Sequence, residues 1–171
     1  GRLENPPKPK VKYKDGETHY IWGEPYTLQL ISNEDAKKAF YDSEKSIIYL
    51  PVPNRSNIKQ REKILFELYR DEMNRNLDYF LEKCTYFVGK EPKEVKIRNM
   101  KNWGNCNKNK RITLNLNLAK KNPECLEYVM IHELCHLIEF NHGKKFKKLM
   151  DEFCPNWKEI KNMKIISLSI L

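Results

Sequence analysis

Over the first third of the chain, short runs of apolar and polar positions alternate with a period near two. Residues 18–22 and 26–31 are rich in β-branched and aromatic side chains and flank Gly23-Glu24-Pro25, which predicts a hairpin. Residues 36–41 and 46–50 repeat the arrangement around Asp42-Ser43-Glu44, and Pro51 and Pro53 are expected to close the section. The period then changes. Over residues 57–88, Ile58, Ile64, Leu65, Leu68, Met73, Leu77, Phe80 and Leu81 recur at near-helical spacing, which predicts one long amphipathic helix ended by Gly89 and Pro92. Residues 94–98 and 111–116 read as two further strands, the second alternating Ile112, Leu114 and Leu116 against Thr113, Asn115 and Asn117. A second helix opens at Pro123, a residue suited to a first helical turn, with Leu126, Val129, Met130, Leu134, Leu137 and Ile138 on an apolar face. Residues 146–153 and 157–163 are expected as short helices against it. The tail, residues 165–171, is expected to pack as a terminal strand or helix end. The succession predicts an α+β fold: a β-rich segment over 1–55, then a mixed domain over 56–171. There is no internal repeat and no low-complexity tract.

Composition supports a globular chain, since 40% of residues are hydrophobic and 32% are charged. No stretch approaches the ~20 apolar residues of a membrane helix, so no membrane partner is expected. The abrupt Pro- and Lys-rich start, without a secretory signal, suggests a chain that is N-terminally truncated, with Gly1 as a cleavage scar. Five cysteines (Cys84, Cys106, Cys125, Cys135 and Cys154) are odd in number and lack C-x-x-C spacing, which argues against a disulfide framework and for a reducing, cytoplasmic setting. Cys125 and Cys135 read as buried packing residues. Cys106 reads as a small core residue, with a place beside the functional site as the alternative.

The helix opening at Pro123 carries the candidate chemistry. His132-Glu133-Leu134-Cys135-His136, followed by Asn141-His142-Gly143, holds three of the four histidines in the chain; His19, on the first strand, reads as a surface or half-buried strand residue. Two His four positions apart on a helix lie about 40° apart around the axis, so both imidazoles project from one face and can share an ion. Nitrogen-rich sites take Zn2+ by default, and a catalytic zinc keeps three protein ligands and one open position. Glu133, next to the first His, can act as general base on the water that the ion activates. The third ligand has two candidates. His142 lies six residues past His136, about 600° further round a continuing helix, so it reaches the ion only if the helix stops first. Asn141 and Gly143 tolerate the left-handed conformation that ends helices and predict that stop. Glu139, seven residues after His132, returns to nearly the same face and competes as a ligand or as a group orienting one. A core helix with no metal would bury a Glu and two His without evident partners, an arrangement that is costly.

These residues also carry a resemblance. Trp103-Gly104-Asn105-Cys106, Ile112-Thr113-Leu114-Asn115, Tyr128-Val129 running into the H-E-L-C-H segment, Asn141-His142 and Phe146 resemble the YgjP-like metallopeptidases, relatives of the SprT-like and other zincin proteases. The resemblance is good over about residues 56–166 and loose before them. It implies a zincin-like fold with His132, His136 and His142 as zinc ligands and Glu133 as catalytic base. It also implies that the strand over residues 111–116 forms the upper rim of the cleft, its free edge open to an extended peptide and Thr113 and Asn115 facing the cleft. A plain solvent face for Thr113, Asn115 and Asn117 is the other reading. The chain departs from the family pattern at Asn105 (for Ser), Gly143 (for Ser) and Lys147 (for Trp), positions that bear on the pocket lining and remove no ligand.

Net charge, +9, adds one further consideration. Lys144, Lys145, Lys147 and Lys148 follow His142 directly. Such lysines ordinarily form a solvated helix face, but beside a metal site they would concentrate anionic substrates and attract nucleotides or nucleic acid weakly and nonspecifically. No motif for base-specific readout is present. The expectation is a zinc-dependent metallopeptidase acting on a peptide or protein. Its rivals are a nucleotide (UTP-type) pyrophosphatase with the same metal site, since some family members are so described, and a DNA-associated SprT-like protease or binding module. A purely structural zinc has little use for Glu133.

Overall fold

Both ends of the long helix follow from local chemistry. α1 (Ile58–Val88) starts at Asn57, whose side chain accepts from the Gln60 amide while the Gln60 side chain accepts from the Asn57 amide, so two otherwise orphaned donors are satisfied reciprocally. It stops at Gly89, which takes the left-handed conformation at φ 76°. The computed structural model describes residues 10–167.

The β-rich segment forms one sheet of β1 (Thr18–Ile21), β2 (Glu24–Ser32), β3 (Phe40–Asp42) and β4 (Ile47–Val52), in the order β1-β2-β4-β3. The β1–β2 hairpin forms as expected. Trp22 and Gly23 both have positive φ, 50° and 84°, the pattern of a type I′ turn matched to strand twist. This turn docks on the rest of the chain. Trp22 donates its backbone N–H to Ala119 at 2.7 Å, and its indole N–H to the buried carboxylate of Glu72 at 3.1 Å. Two expectations here need correction. β3 is only three residues long, because residues 33–39 turn back so that β4 can lie parallel to β2, a pairing no hairpin can make. Pro51 does not close the section: it sits inside β4 opposite Ile31, at a point where β3 has already ended, so its missing N–H breaks no ladder on that side.

The second sheet comprises β5 (Glu94–Arg98), β6 (Gly104–Cys106) and β7 (Arg111–Asn115), in the order β5-β7-β6. The strand expected at the rim, β7, is therefore the middle strand, parallel to β5 and antiparallel to β6; β5 and β6 are the edges, and β6 is the one bordering the cleft. Neither sequence reading of Asn115 and Asn117 holds, because both are buried. Asn115 donates to the carbonyls of Met100 and Asn102, each at 2.9 Å, and accepts from the Asn117 amide at 2.8 Å. It thus pins the loop before β6 and caps the short 3-10 helix Leu116–Lys120. Thr113 is half-buried.

Three helices complete the described residues: α2 (Pro123–Cys135), α3 (Lys144–Phe153) and α4 (Trp157–Ser167). Asn122 caps α2 by accepting from the Glu124 amide at 2.9 Å, with Pro123 in the first turn as expected. The predicted amphipathic character of α2 is corrected: nine of its 13 residues are buried, Cys125 and Cys135 among them. A helix covered on nearly all sides needs no polar stripe for solvent, and its polar positions face a cleft instead. Of the tail, residues 165–167 end α4, and 168–171 lie outside the described residues. One apolar core joins Leu28 and Leu50 of the first sheet to Leu65, Tyr69 and Met73 of α1, and these to Leu114, Leu126 and Met130. Among the described residues no helix is long and apolar enough to cross a membrane.

Candidate metal centre and its cleft

The helix carrying the H-E-L-C-H segment stops where the chemistry requires. α2 ends at Cys135, and its last turn tightens: Leu137 donates to Leu134 at 2.9 Å and Ile138 to Cys135 at 3.0 Å, i to i−3 bonds that use the final carbonyls. The stop was expected from Asn141 and Gly143 in left-handed conformation, and the structure corrects that detail. Neither has positive φ, and Gly143, at φ −80°, is the N-cap of α3. The chain then folds back and places His142 against His132 and His136. One ligating atom from each of the three lies within 4.8 Å of the others, and the Nε2 atoms of His132 and His142 are 3.4 Å apart. That donor set, three imidazole nitrogens around one point, could hold a metal ion.

Aromatic rings frame the cluster. Phe146, on α3, stacks on His136 at 4.5 Å and 20°, and stands edge-on to His132 and to His142 at 4.9 Å each. Tyr128, one turn before His132, has its ring 5.8 Å from that imidazole. Glu139 contributes through its backbone and not its carboxylate. Its carbonyl oxygen lies 3.3 Å from His136 Nδ1, which assigns the proton to that nitrogen and leaves the Nε2 lone pair for a metal.

Burial, reinforced by the neighbouring His142, holds His136 below the ordinary imidazole range, so it is neutral at pH 7. His19, half-buried beside Glu17 and stacked on Tyr13, is also lowered, by burial first, and is not part of the cluster. Between the ordinary imidazole value of about 6.5 and these lowered folded values, the unfolded chain binds more protons than the folded one. Acidification from neutral pH through that window should therefore destabilise the metal-free protein. A denaturant midpoint that stays flat from pH 7 down to 5 would contradict this.

A cleft of about 570 Å³ contains the three histidines and Glu133, with Trp103, Gly104 and Cys106 on its opposite wall. Cys106 is half-exposed there, which corrects the core assignment in favour of the alternative beside the site. Burial, then the nearby Glu133, pushes its thiol up to about 11, and it is not among the donors that converge in the three-histidine cluster. Tyr128 is pushed up to about 12, chiefly by burial, and keeps its proton. Lys144, Lys145, Lys147 and Lys148 are exposed on α3, and none of them lines the cleft.

The sequence matches the YgjP-like metallopeptidase domain over residues 2–163. The chain belongs to the YgjP-like metallopeptidase family. A solved structure, the crystal structure of the metallopeptidase zymogen abylysin of Pyrococcus abyssi, is similar at 26% identity with a TM-score of 0.50, over 54% of this chain and 94% of that one. The fold is thus α+β and zincin-like. No curated protein matches the chain.

In this YgjP-like metallopeptidase the sequence alone missed the edge strand, the Phe146 platform and the reason for Gly104. A Cβ at position 104 would lie 2.7 Å from Val129 Cγ1 and 3.2 Å from the Glu133 side chain. Glycine therefore lets β6 close onto α2 directly over Glu133. The available signal was a Trp-Gly-x-Cys sequence too short to show alternation. Gly104→Ala should cost about 1–3 kcal/mol of stability through overpacking and should displace the Glu133 carboxylate. Thermal denaturation and turnover measured together check this, and an unchanged midpoint would remove the argument.

Proposed function

We propose that this protein is a zinc-dependent metallopeptidase in which His132, His136 and His142 hold the metal and Glu133 is the general base. The convergence of three imidazoles beside the buried carboxylate of Glu133 carries the reading, and membership of a metallopeptidase family supports it. Three imidazole donors leave one position open, the pattern of a catalytic rather than a structural zinc. Zinc bound there would supply Lewis acidity, polarising a carbonyl and lowering the pKa of a water toward about 7. Glu133 takes the proton of the attacking water and delivers it to the departing amine. Glu133 is buried on α2 with β6 closed against it at Gly104, which restricts its side chain. The free edge of β6 offers backbone N–H and C=O groups to an extended peptide lying across the cleft. Five free thiols accord with a cytoplasmic setting.

Metal analysis with peptide hydrolysis before and after chelation tests the reading. The expected result is about one zinc per chain, with activity lost to chelator and restored by zinc. Full activity after complete chelation would end it.

The lysines on α3 bear on the rival readings. A pyrophosphatase would need several cations inside the cleft; these four lie outside it, and Lys101 is the lysine that lines it among the described residues. Replacing Lys144, Lys145, Lys147 and Lys148 by Ala should leave peptide turnover close to the parent's and reduce weak, salt-sensitive binding of DNA. Nucleoside triphosphate hydrolysis that collapses in this variant would instead put the pyrophosphatase first.

A further inference from the structure

Residues 99–101 line a second and larger cavity, of about 1250 Å³, while residues 101–102 line the metal-site cleft, so this loop stands between the two. They also approach through a pair of side chains: Lys121, in the cavity wall, has its ammonium 5.9 Å from the ring centroid of Trp103, in the cleft wall.

The charge in the cavity is one-sided. Six lysines and two glutamates line it. Both glutamates are engaged: Glu17 with His19 at 2.7 Å and with the backbone amide of Tyr13, and Glu62 with the Tyr13 hydroxyl at 3.1 Å. Lys120 takes part in no ion pair among the described residues. Its ammonium instead lies 4.6 Å from the Phe66 ring centroid and 5.3 Å from that of Tyr69. Burial, then the neighbouring Lys121, lowers its pKa to about 8, and the opposing attraction of Glu62 does not offset them. The buried hydroxyl of Tyr69, in the same wall, has no hydrogen-bond partner either. A lysine held against two aromatic rings in the wall of this cavity is costly for folding, and a methionine would pack against Phe66 equally well. Such an arrangement becomes favourable when an anion enters, and the aromatic walls suit an anion carried on an organic chain.

We propose that this cavity anchors acidic side chains of a peptide whose scissile bond lies in the adjoining cleft, with Lys120 and Lys121 as the receiving cations. The proposal rests on the peptidase reading, and its test separates the two. Binding is measured by fluorescence anisotropy on zinc-loaded Glu133→Gln protein, using a fluorescein-labelled peptide with a glutamate-rich end and a counterpart with alanines in those places. The glutamate peptide should bind about tenfold more tightly. Lys120→Met, which keeps the packing volume and removes the charge, should abolish most of that preference, and Lys121→Met part of it. Lys144→Met, an equal charge change on the exposed face of α3, should leave it intact. In turnover by the otherwise unaltered enzyme, Lys120→Met should raise KM for the acidic peptide and leave kcat unchanged. Equal binding of the two peptides by the parent, or a preference that survives both cavity substitutions, overturns the site. Lys120-dependent binding with no cleavage of any peptide keeps the anion site and sinks the peptidase reading. Cleavage indifferent to acidic residues does the reverse.

Discussion

Glu133→Gln should lower peptide turnover by about 10²–10⁴-fold, the range supplied by a positioned proton acceptor, while zinc content and thermal midpoint stay at parental values. The reasoning is geometric. Glutamine fills the same volume, so the contact with Gly104 and the closure of β6 onto α2 are preserved. It cannot take a proton from water. Stopped-assay turnover, metal analysis and calorimetry on one preparation distinguish the outcomes. A variant that loses its zinc would identify Glu133 as a ligand, and one that keeps its activity would place the base elsewhere.

His142→Ala should abolish stable zinc binding with little harm to the fold. Unlike the half-buried His132 and His136, His142 is exposed and follows the end of α2, so its truncation leaves no core void. Zinc at about a hundredfold over its Kd stabilises a folded chain by about 2.7 kcal/mol, which for a protein of this size is roughly 5–10 °C in Tm. That increment should be present in the parent and absent in the variant, and chelated parent and variant should melt together. Glu139→Ala should keep the increment, since Glu139 meets His136 through its backbone carbonyl. The opposite pair of results, metal retained in His142→Ala and lost in Glu139→Ala, would overturn the ligand assignment.

Much of the local structure was legible because it depends on neighbours in sequence. The capping pair Asn57–Gln60 and the glycine at 89 mark the limits of α1 to the residue. The β1–β2 hairpin follows from β-forming runs around Gly23. His132 and His136 share a face because four residues are close to one helical turn. Where the sequence reading failed, the deciding contacts were distant ones. A three-residue strand such as β6 has too few positions to show a period, so the neighbouring β7 was assigned the free edge. Asn115 and Asn117 look like a solvent face until the loop carrying Met100 and Asn102 folds over them.

The sequence by itself determined the elements and the identity of the chemical groups: the long capped helix, the H-E-x-x-H spacing, three histidines and two carboxylates within a short stretch. Helical periods and caps are properties of adjacent residues and survive without the rest of the molecule. Only the tertiary structure decided how those groups meet. It set β4 parallel to β2, placed β7 at the centre of its sheet, brought β6 onto Glu133 through a glycine, and set Phe146 of α3 against all three imidazoles, stacked on His136 and edge-on to the other two. It also brought Lys120 to Phe66 and Tyr69 of α1, far from it in sequence, in the wall of one cavity. Each of these depends on closing long loops and filling a shared core, and those free energies belong to the whole chain rather than to any window of it.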